Sequence, residues 1–346
     1  MSNHILSLTS IRGVAAALVV VSHLREYGYW YKDSLDGVGA IGVAIFFCLS
    51  GFLMGYLYLS RTLNAESGYE YLVSRFSRIA PAYLAVVVIA YVIYQYIDPL
   101  FPIGVGNHNL LRHLLFSGNA GPLWSIPPEV QFYGLFFLLW ISLVLYKSGA
   151  FVMLACMFVV LLVGQYYQYA FPGVIVFSKL AFFLLGVVCG AIRSSVQWPS
   201  LAISVARVLQ MVFLVWGLLL LFLGGGFSGN TEFWNNTNNA IWAAVLVLSF
   251  SFDPGYLGKV LNSKLLVKMG DWSFSLYLTH VFVLYYASMF FGNSFLEAVL
   301  AITLCIVTSF LFYTLVEKPG IRAFKYILEK PVFKTFVLNM ASRVIR

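Results

Sequence analysis

The stretch Ile11-Arg-Gly-Val-Ala-Ala-Ala-Leu-Val-Val-Val-Ser-His23 decides what kind of protein this chain is. It is apolar enough to lie in a membrane, yet it contains an arginine and a histidine. Eleven residues of α-helix make about three turns, so Arg12 and His23 share one face roughly 16 Å apart. Ionisable groups inside a membrane are costly and usually face a cavity where they serve a function. The pair therefore suggests a long anionic ligand lying between the two groups, unless each simply marks a membrane interface.

The composition is that of a protein embedded in a membrane. The chain has 346 residues, of which 61% are hydrophobic and only 10% are charged, whereas a soluble domain carries about 25% charged residues. The apolar segments are long and continuous rather than alternating, which excludes an outer-membrane barrel. The four cysteines lie within these segments, and the sequence contains no CxxC or HExxH motif. We therefore expect buried cysteines, no bound metal ion and no nucleic-acid partner.

Ten apolar segments are candidates for membrane-spanning helices. They lie near 8–27, 37–60, 78–97, 126–146, 150–170, 174–192, 206–224, 238–252, 271–291 and 296–316. If both termini are cytoplasmic, 17 of the 21 Lys and Arg residues fall on the cytoplasmic side, in agreement with the positive-inside rule. The sequence thus predicts an all-α polytopic membrane domain over residues 1–320, with about ten helices around a central cavity. Residues 321–346 are predicted to form a basic amphipathic cytoplasmic tail.

Two clusters on the second and third spans are candidate ligand sites. Arg75 and Arg78 are three residues apart, so their side chains point the same way from one helix. Paired guanidinium groups suit phosphates, although a simple positive-inside anchor also explains the charges. Ser50, Gly51 and Gly55 place small side chains on the second span, which permits close helix packing. Alternatively, the same small face leaves room for a ligand beside the first span.

Polar residues of the fourth and ninth spans are further candidates. Glu129 follows Pro127-Pro128 in a predicted first helical turn, where the helix dipole favours a carboxylate. It is either a capping group or the carboxylate that orients the imidazole of His23. His280 is either a hydrogen-bonded structural residue in the middle of the ninth span or a contact for substrate. Trp124 is an aromatic residue that could stack on a sugar ring, but interfacial aromatic belts have the same composition.

These segments, taken in order, resemble the acyltransferase-3 family of integral-membrane acyltransferases. The matching pieces are Arg12 with His23, the Phe-Phe-Cys-Leu-Ser-Gly-Phe-Leu run from Phe46, Arg75-x-x-Arg78 with Pro81-Ala-Tyr83, Trp124-Ser125 with Glu129 and Gln131-Phe-Tyr133, Ser273-Phe-Ser-Leu-Tyr-Leu-x-His280, and Val316-Glu317-Lys318-Pro319. The sequence departs from the family pattern at Pro127-Pro128 and at Val130, where many members have a second glutamate. Only Glu129 therefore inherits the acidic role of that motif.

The resemblance implies transfer of an acyl group, usually acetyl, from acetyl-CoA to a hydroxyl. The implied acceptors are sugars of envelope glycans such as O-antigen or exopolysaccharide, free or lipid-linked, and the implied location is the bacterial cytoplasmic (inner) membrane among its lipids. It also implies that His23 is catalytic, that Arg12 is essential and that Arg75 and Arg78 bind the donor.

Together these observations lead to one hypothesis. His23 is the general base on the acceptor hydroxyl, and Glu129 holds its ring in the reactive tautomer. The predicted donor-binding residues are Arg12, Arg75, Arg78 and Ser50, and the predicted acceptor-binding residues are Trp124, Tyr133 and His280. The alternative function is a transporter or flippase of a lipid-linked sugar, which would use the same basic mouth and buried histidine. A structural membrane subunit is the third possibility, but it leaves Arg12, His23 and the arginine pair unexplained.

Overall fold

In a computed structural model, the protein is described over residues 5–29, 37–145, 176–223, 231–292 and 294–331, with isolated residues at 159, 163, 166, 334 and 335. The described residues form helices and turns without strands. The α-helices of these ranges are α1 (Leu6–His23), α2 (Val38–Tyr58), α3 (Ala65–Val92), α4 (Leu110–Leu114), α5 (Ile126–Leu145), α6 (Leu180–Ser195), α7 (Ser200–Leu223), α8 (Thr231–Asn235), α9 (Thr237–Phe250), α10 (Gly258–Leu261), α11 (Lys264–Asp271), α12 (Ser273–Ser288), α13 (Phe295–Phe312) and α14 (Lys318–Leu328). The all-α fold predicted from the sequence is confirmed.

The long apolar helices are those of a multi-pass membrane protein. Seven described segments are long and apolar enough to cross a bilayer: Leu6–Tyr27, Val38–Tyr58, Ala65–Ile97, Gly121–Leu143, Phe177–Ser195, Ser200–Leu220 and Phe295–Leu328. An eighth crossing forms if Thr237–Phe250 and Gly255–Leu261, which are bent by 81°, are one broken span. Each helix satisfies its own backbone hydrogen bonds, whereas the lipid core offers no hydrogen-bonding partners. The predicted number of ten is not confirmed, because 150–170 lies almost entirely outside the described residues and α12 has only 16 residues.

The chain divides into two compact units, each built from two separate stretches of sequence. The first unit comprises Met1–Ser60 and Phe177–Ser309, and the second comprises Arg61–Val176 and Phe310–Arg346. The predicted tail begins within α14, and residues 336–346 lie outside the described part of the chain.

In the first unit, α2 and α6 pack with their backbones in contact. A Cβ atom built on Gly51 would lie 2.8 Å from the carbonyl carbon of Phe183 and closer still to its oxygen. Gly55 makes the same approach to Val187, and Gly186 and Gly190 of α6 meet the α2 backbone in return. This is the small-xxx-small packing that membrane helices use. The predicted close packing is confirmed, and the face carrying Gly51 and Gly55 is covered by α6 rather than left open beside the first span.

Helix α1 is held in the first unit through its small polar residues. The Ser7 hydroxyl donates to the Phe250 carbonyl at 2.7 Å, and the Ser10 hydroxyl donates to the Leu261 carbonyl. Gly13 lies so close to α11 that an added Cβ would be 2.8 Å from the Gly270 nitrogen. These contacts fix the part of α1 that carries Arg12.

In the second unit, α3 is capped at its start and crossed by α14 near its middle. The Asn64 side chain accepts a hydrogen bond from the Ser67 amide at 2.8 Å, while the Ser67 hydroxyl accepts from the Asn64 amide at 2.9 Å. This reciprocal capping box fixes where the helix begins. Gly320 of α14 fits against Pro81, where an added Cβ would lie 2.6 Å from the proline Cβ. The contact places the turn before α14 beside the arginines of α3.

Candidate functional site

The catalytic candidate His23 is the last residue of α1, where the chain turns back on itself. A 3-10 turn follows at Arg25–Tyr27, and Gly28 adopts a left-handed conformation with φ of 80°. The 3-10 turn keeps Glu26, three residues after His23, on the same side as the histidine, so that Glu26 Oε2 lies 3.0 Å from His23 Nδ1. The two atoms are at ion-pair distance without the alignment of a hydrogen bond. The His23 side chain keeps 26% of its surface exposed, so the ring is accessible.

A second imidazole, that of His280 on α12, stacks on the ring of His23. The ring centroids are 5.1 Å apart and the ring planes differ by 29°. The two residues are 257 positions apart in sequence, and helix packing brings them together. Each residue is a candidate from the sequence, but no local spacing connects the two, so the sequence does not predict their contact.

The hydrogen bonding of His280 fixes its tautomer. Its Nδ1 lies 2.7 Å from the Tyr277 carbonyl oxygen. Because a carbonyl can only accept a hydrogen bond, Nδ1 carries the proton, and Nε2 of the neutral ring presents a lone pair. His280 is fully buried, and Nε2 has no hydrogen-bond partner among the described residues. A buried polar atom without a hydrogen-bond partner destabilises the folded protein.

Arg12 lies on α1 as well, eleven residues before His23. Helix α1 is unbroken from Leu6 to His23, so its two ionisable residues lie on one face roughly 16 Å apart along the axis. The predicted geometry of this pair is therefore present. Ser50, predicted to contact the donor, is half-buried on α2 of the same unit.

In the second unit, Glu129 lies in the first turn of α5, as predicted. The Tyr133 hydroxyl, one turn later, donates to Glu129 Oε1 at 2.6 Å. The Tyr71 hydroxyl of α3 in turn donates to the Tyr133 carbonyl at 2.9 Å. These contacts join the start of α5 to α3 and hold the carboxylate in one place. Trp124 is half-buried in the 3-10 turn Gly121–Ser125 that leads into α5.

The arginine pair of α3 has a carboxylate partner that the sequence analysis missed. Arg78 Nη1 lies 2.8 Å from Glu317 Oε1, and Glu317 is fully buried. Glu317 ends a π-helical turn, Tyr313–Glu317, between α13 and α14, and such turns are frequent at functional sites. Arg75, one turn before Arg78, is close enough to Tyr133 to act on it electrostatically. The sequence signal for this partner was a carboxylate directly after the long apolar run 295–316.

The second unit also contains a buried histidine in the loop that precedes α5. His113 of α4 is fully buried, with Nδ1 3.5 Å from the Tyr83 hydroxyl. Burial, with a smaller effect of the Arg112 charge, lowers its pKa to about 4. Its ring packs against Gly118 so tightly that a larger residue there would displace it. His113 is therefore a neutral core residue at physiological pH.

No group of three or more His, Cys, Asp or Glu side chains within the described residues has the geometry to hold a metal ion. The chemistry available in these residues consists of imidazoles, carboxylates, a tyrosine and guanidinium cations.

The helical fold and these side chains define a membrane protein with an accessible histidine at the end of its first helix. A family model described as an acyltransferase domain, that of the acyltransferase-3 family, matches residues 5–314, and the chain belongs to this family. The acyltransferase MdmB of Streptomyces mycarofaciens is 26% identical, with 91% of each chain covered. The O-acetyl transferase of Shigella phage Sf6 is 27% identical over 35% of this chain and 42% of that protein. No solved structure matches the chain.

Proposed function

We propose that this acyltransferase moves an acetyl group from acetyl-CoA to a hydroxyl of an envelope glycan. The observation that carries the proposal is the arrangement on α1, where His23 faces Glu26 at 3.0 Å and Arg12 lies about three turns away. One relative is named an O-acetyl transferase, which favours a hydroxyl acceptor and an acetyl donor. The two groups on α1 suit a long donor with an anionic end and a reactive thioester end.

The donor is expected to enter from the cytoplasm, where CoA is found. The proposed topology has both termini in the cytoplasm and Arg12 near the inner face of an inner membrane; 17 of the 21 Lys and Arg residues would then be cytoplasmic, in agreement with the positive-inside rule. Guanidinium groups bind phosphates well, so Arg12, Arg75 and Arg78 are the proposed phosphate ligands. The uncharged pantetheine arm would then extend along α1, with the thioester at His23.

His23 is the proposed general base. Its Nδ1 faces Glu26, which leaves Nε2 to take the proton of the acceptor hydroxyl while the oxygen attacks the thioester carbonyl carbon. The carbon–sulfur bond then breaks, and the imidazolium returns its proton to the departing CoA thiolate. Glu26 would stabilise the imidazolium formed between these steps, as the carboxylate of a hydrolase triad does. The products are an acetyl ester and free CoA.

Glu26 and Glu129 are both candidates for the carboxylate that assists His23. The 3.0 Å contact with His23 favours Glu26, whereas the oxygen of Glu129 accepts a hydrogen bond from Tyr133. In the second unit we propose that Trp124, Tyr133 and Glu129 contribute to acceptor binding. The assignment is tested by comparing the two carboxamide variants, Glu26→Gln and Glu129→Gln.

The deciding experiment is acetyl-CoA turnover by purified protein in detergent or liposomes, followed by release of free CoA. We expect His23→Ala to reduce turnover to background while donor binding persists, and Glu26→Gln to lower the rate constant about 10²-fold. His108→Gln, at an exposed loop histidine, is the control and should retain full turnover. Movement of a lipid-linked sugar across liposomes without thioester turnover would instead establish the transporter alternative.

A further inference from the structure

The stacked histidine pair of the first unit has one ring nitrogen that the proposed reaction does not use. His23 has a carboxylate at Nδ1, and the proposed reaction uses its Nε2. His280 has its Nδ1 proton bound to the Tyr277 carbonyl. Its Nε2 is a buried lone pair without a partner among the described residues. This atom needs a hydrogen-bond donor, and a donor-bearing ligand beside His23 would supply one.

We propose that His280 Nε2 binds a second hydroxyl of the acceptor, next to the hydroxyl that His23 deprotonates. The inference rests on the proposed transfer reaction and narrows its substrate class to compounds that carry two neighbouring hydroxyls. Such diols are a feature of pyranose sugars, whereas a simple alcohol has none.

The geometry of the pair supports this assignment. The two rings are stacked with centroids 5.1 Å apart and planes 29° apart, so both imidazoles lie within the span of one small molecule. An alcohol oxygen bound to each imidazole would therefore belong to the same or an adjacent part of one small molecule. A hydroxyl is the simplest group that can donate to Nε2 at His280 while a second hydroxyl loses its proton at His23.

The surroundings of His280 hold its ring in this orientation. Its Nδ1 bond is made to a carbonyl one turn earlier in its own helix, and the Tyr277 ring lies 5.8 Å away. The thiol of Cys305, which is on α13, lies 3.9 Å from the His280 carbonyl oxygen. With its tautomer fixed, His280 can only accept a hydrogen bond at Nε2, which makes it a selective contact for a hydroxyl. His280 is therefore assigned to acceptor binding, and His23 remains the proposed base.

The test uses two small probes as acceptors for the acetyl group. Purified protein is supplied with acetyl-CoA and with either 1,2-propanediol or 1-propanol, and the esters are quantified. The wild-type protein should favour the diol about 10-fold per hydroxyl, the factor expected for one well-placed hydrogen bond of about 1.4 kcal/mol. His280→Phe keeps an aromatic ring but lacks the acceptor, and its diol preference should fall to about one. His280→Gln retains an acceptor oxygen and should keep most of the preference.

Hydrolysis of acetyl-CoA by water is the internal control, because water needs no second hydroxyl contact. It should disappear in His23→Ala. In each His280 variant the diol preference is a ratio of two ester yields, so it is read independently of the overall rate. Equal use of diol and mono-alcohol by the wild-type protein would overturn the inference. So would a loss of hydrolysis in both His280→Phe and His280→Gln, which would make the residue structural or part of the chemistry. Absence of thioester turnover in the wild-type protein would instead reject the proposed function itself.

Discussion

Replacing Gly51 by alanine tests whether the small face of α2 is a helix-packing surface. The new methyl group would lie 2.8 Å from the Phe183 carbonyl carbon and closer still to its oxygen, whereas ordinary contacts begin near 3.4 Å. The obstacle is backbone, which cannot rotate away as a side chain can. The two helices must therefore separate, and the matching approach at Gly55 opens with them.

The expected magnitude follows from two opposing effects. Alanine in place of glycine favours a helix by about 1 kcal/mol. Overpacking against a rigid neighbour costs about 1–3 kcal/mol, and occasionally more. Because four glycines make the same close approach between α2 and α6, the loss should be at the upper end of this range. We expect Gly51→Ala to destabilise the protein by about 2 kcal/mol net.

The assay is thermal unfolding of purified protein in detergent, with acetyl-CoA turnover measured at low temperature. Gly217→Ala in α7 is the matched control, because an added Cβ there meets nothing within 4 Å, and it should unfold at the wild-type temperature or slightly above. An unchanged unfolding temperature for Gly51→Ala would refute the packing argument. A normal unfolding temperature combined with a raised KM for acetyl-CoA would instead indicate a ligand site on this face.

Two other contacts give predictions of the same kind. Replacing either Arg78 or Glu317 by methionine should lower stability by about 1–3 kcal/mol, because Glu317 is fully buried while Arg78 is partly exposed. The double variant should lose less than the sum of the two, and additive losses in a thermal double-mutant cycle would contradict direct coupling. For His113, the folded-state pKa of about 4 lies below the ordinary value of 6.5, so the unfolded chain binds the proton more readily. Stability is complete above pH 6.5 and falls by up to about 1.4 kcal/mol per unit down to pH 4; His113→Phe should flatten this acid limb of a pH-dependent unfolding curve.

Some of the candidate site could be predicted because it depends on local spacing. Arg12 and His23 share a face since both lie on one unbroken helix, and Glu129 lies in a first turn since prolines start that helix. A carboxylate that faces His23 is that of Glu26, only three residues away. This spacing is also local, because the 3-10 turn that continues α1 keeps residues three apart on one side.

The long-range contacts could not be predicted in this way. His280 stacks on His23, and Arg78 pairs with Glu317 across 239 residues of sequence. Each contact depends on which helix faces lie against one another. A single sequence contains no measure of that choice, since many apolar faces pack about equally well. The π-helical turn that carries Glu317 also has no distinct sequence signal.

A helical membrane protein with an ordered set of acyltransferase motifs can be predicted from the amino-acid order alone. Long apolar runs must become helices in lipid, because each helix satisfies its own backbone hydrogen bonds. Helix packing sets three further features: two imidazoles stack, a buried glutamate pairs with Arg78, and the glycines of α2 contact α6. Those outcomes depend on the shapes of packed helix surfaces, which are set by side chains distant from one another along the chain.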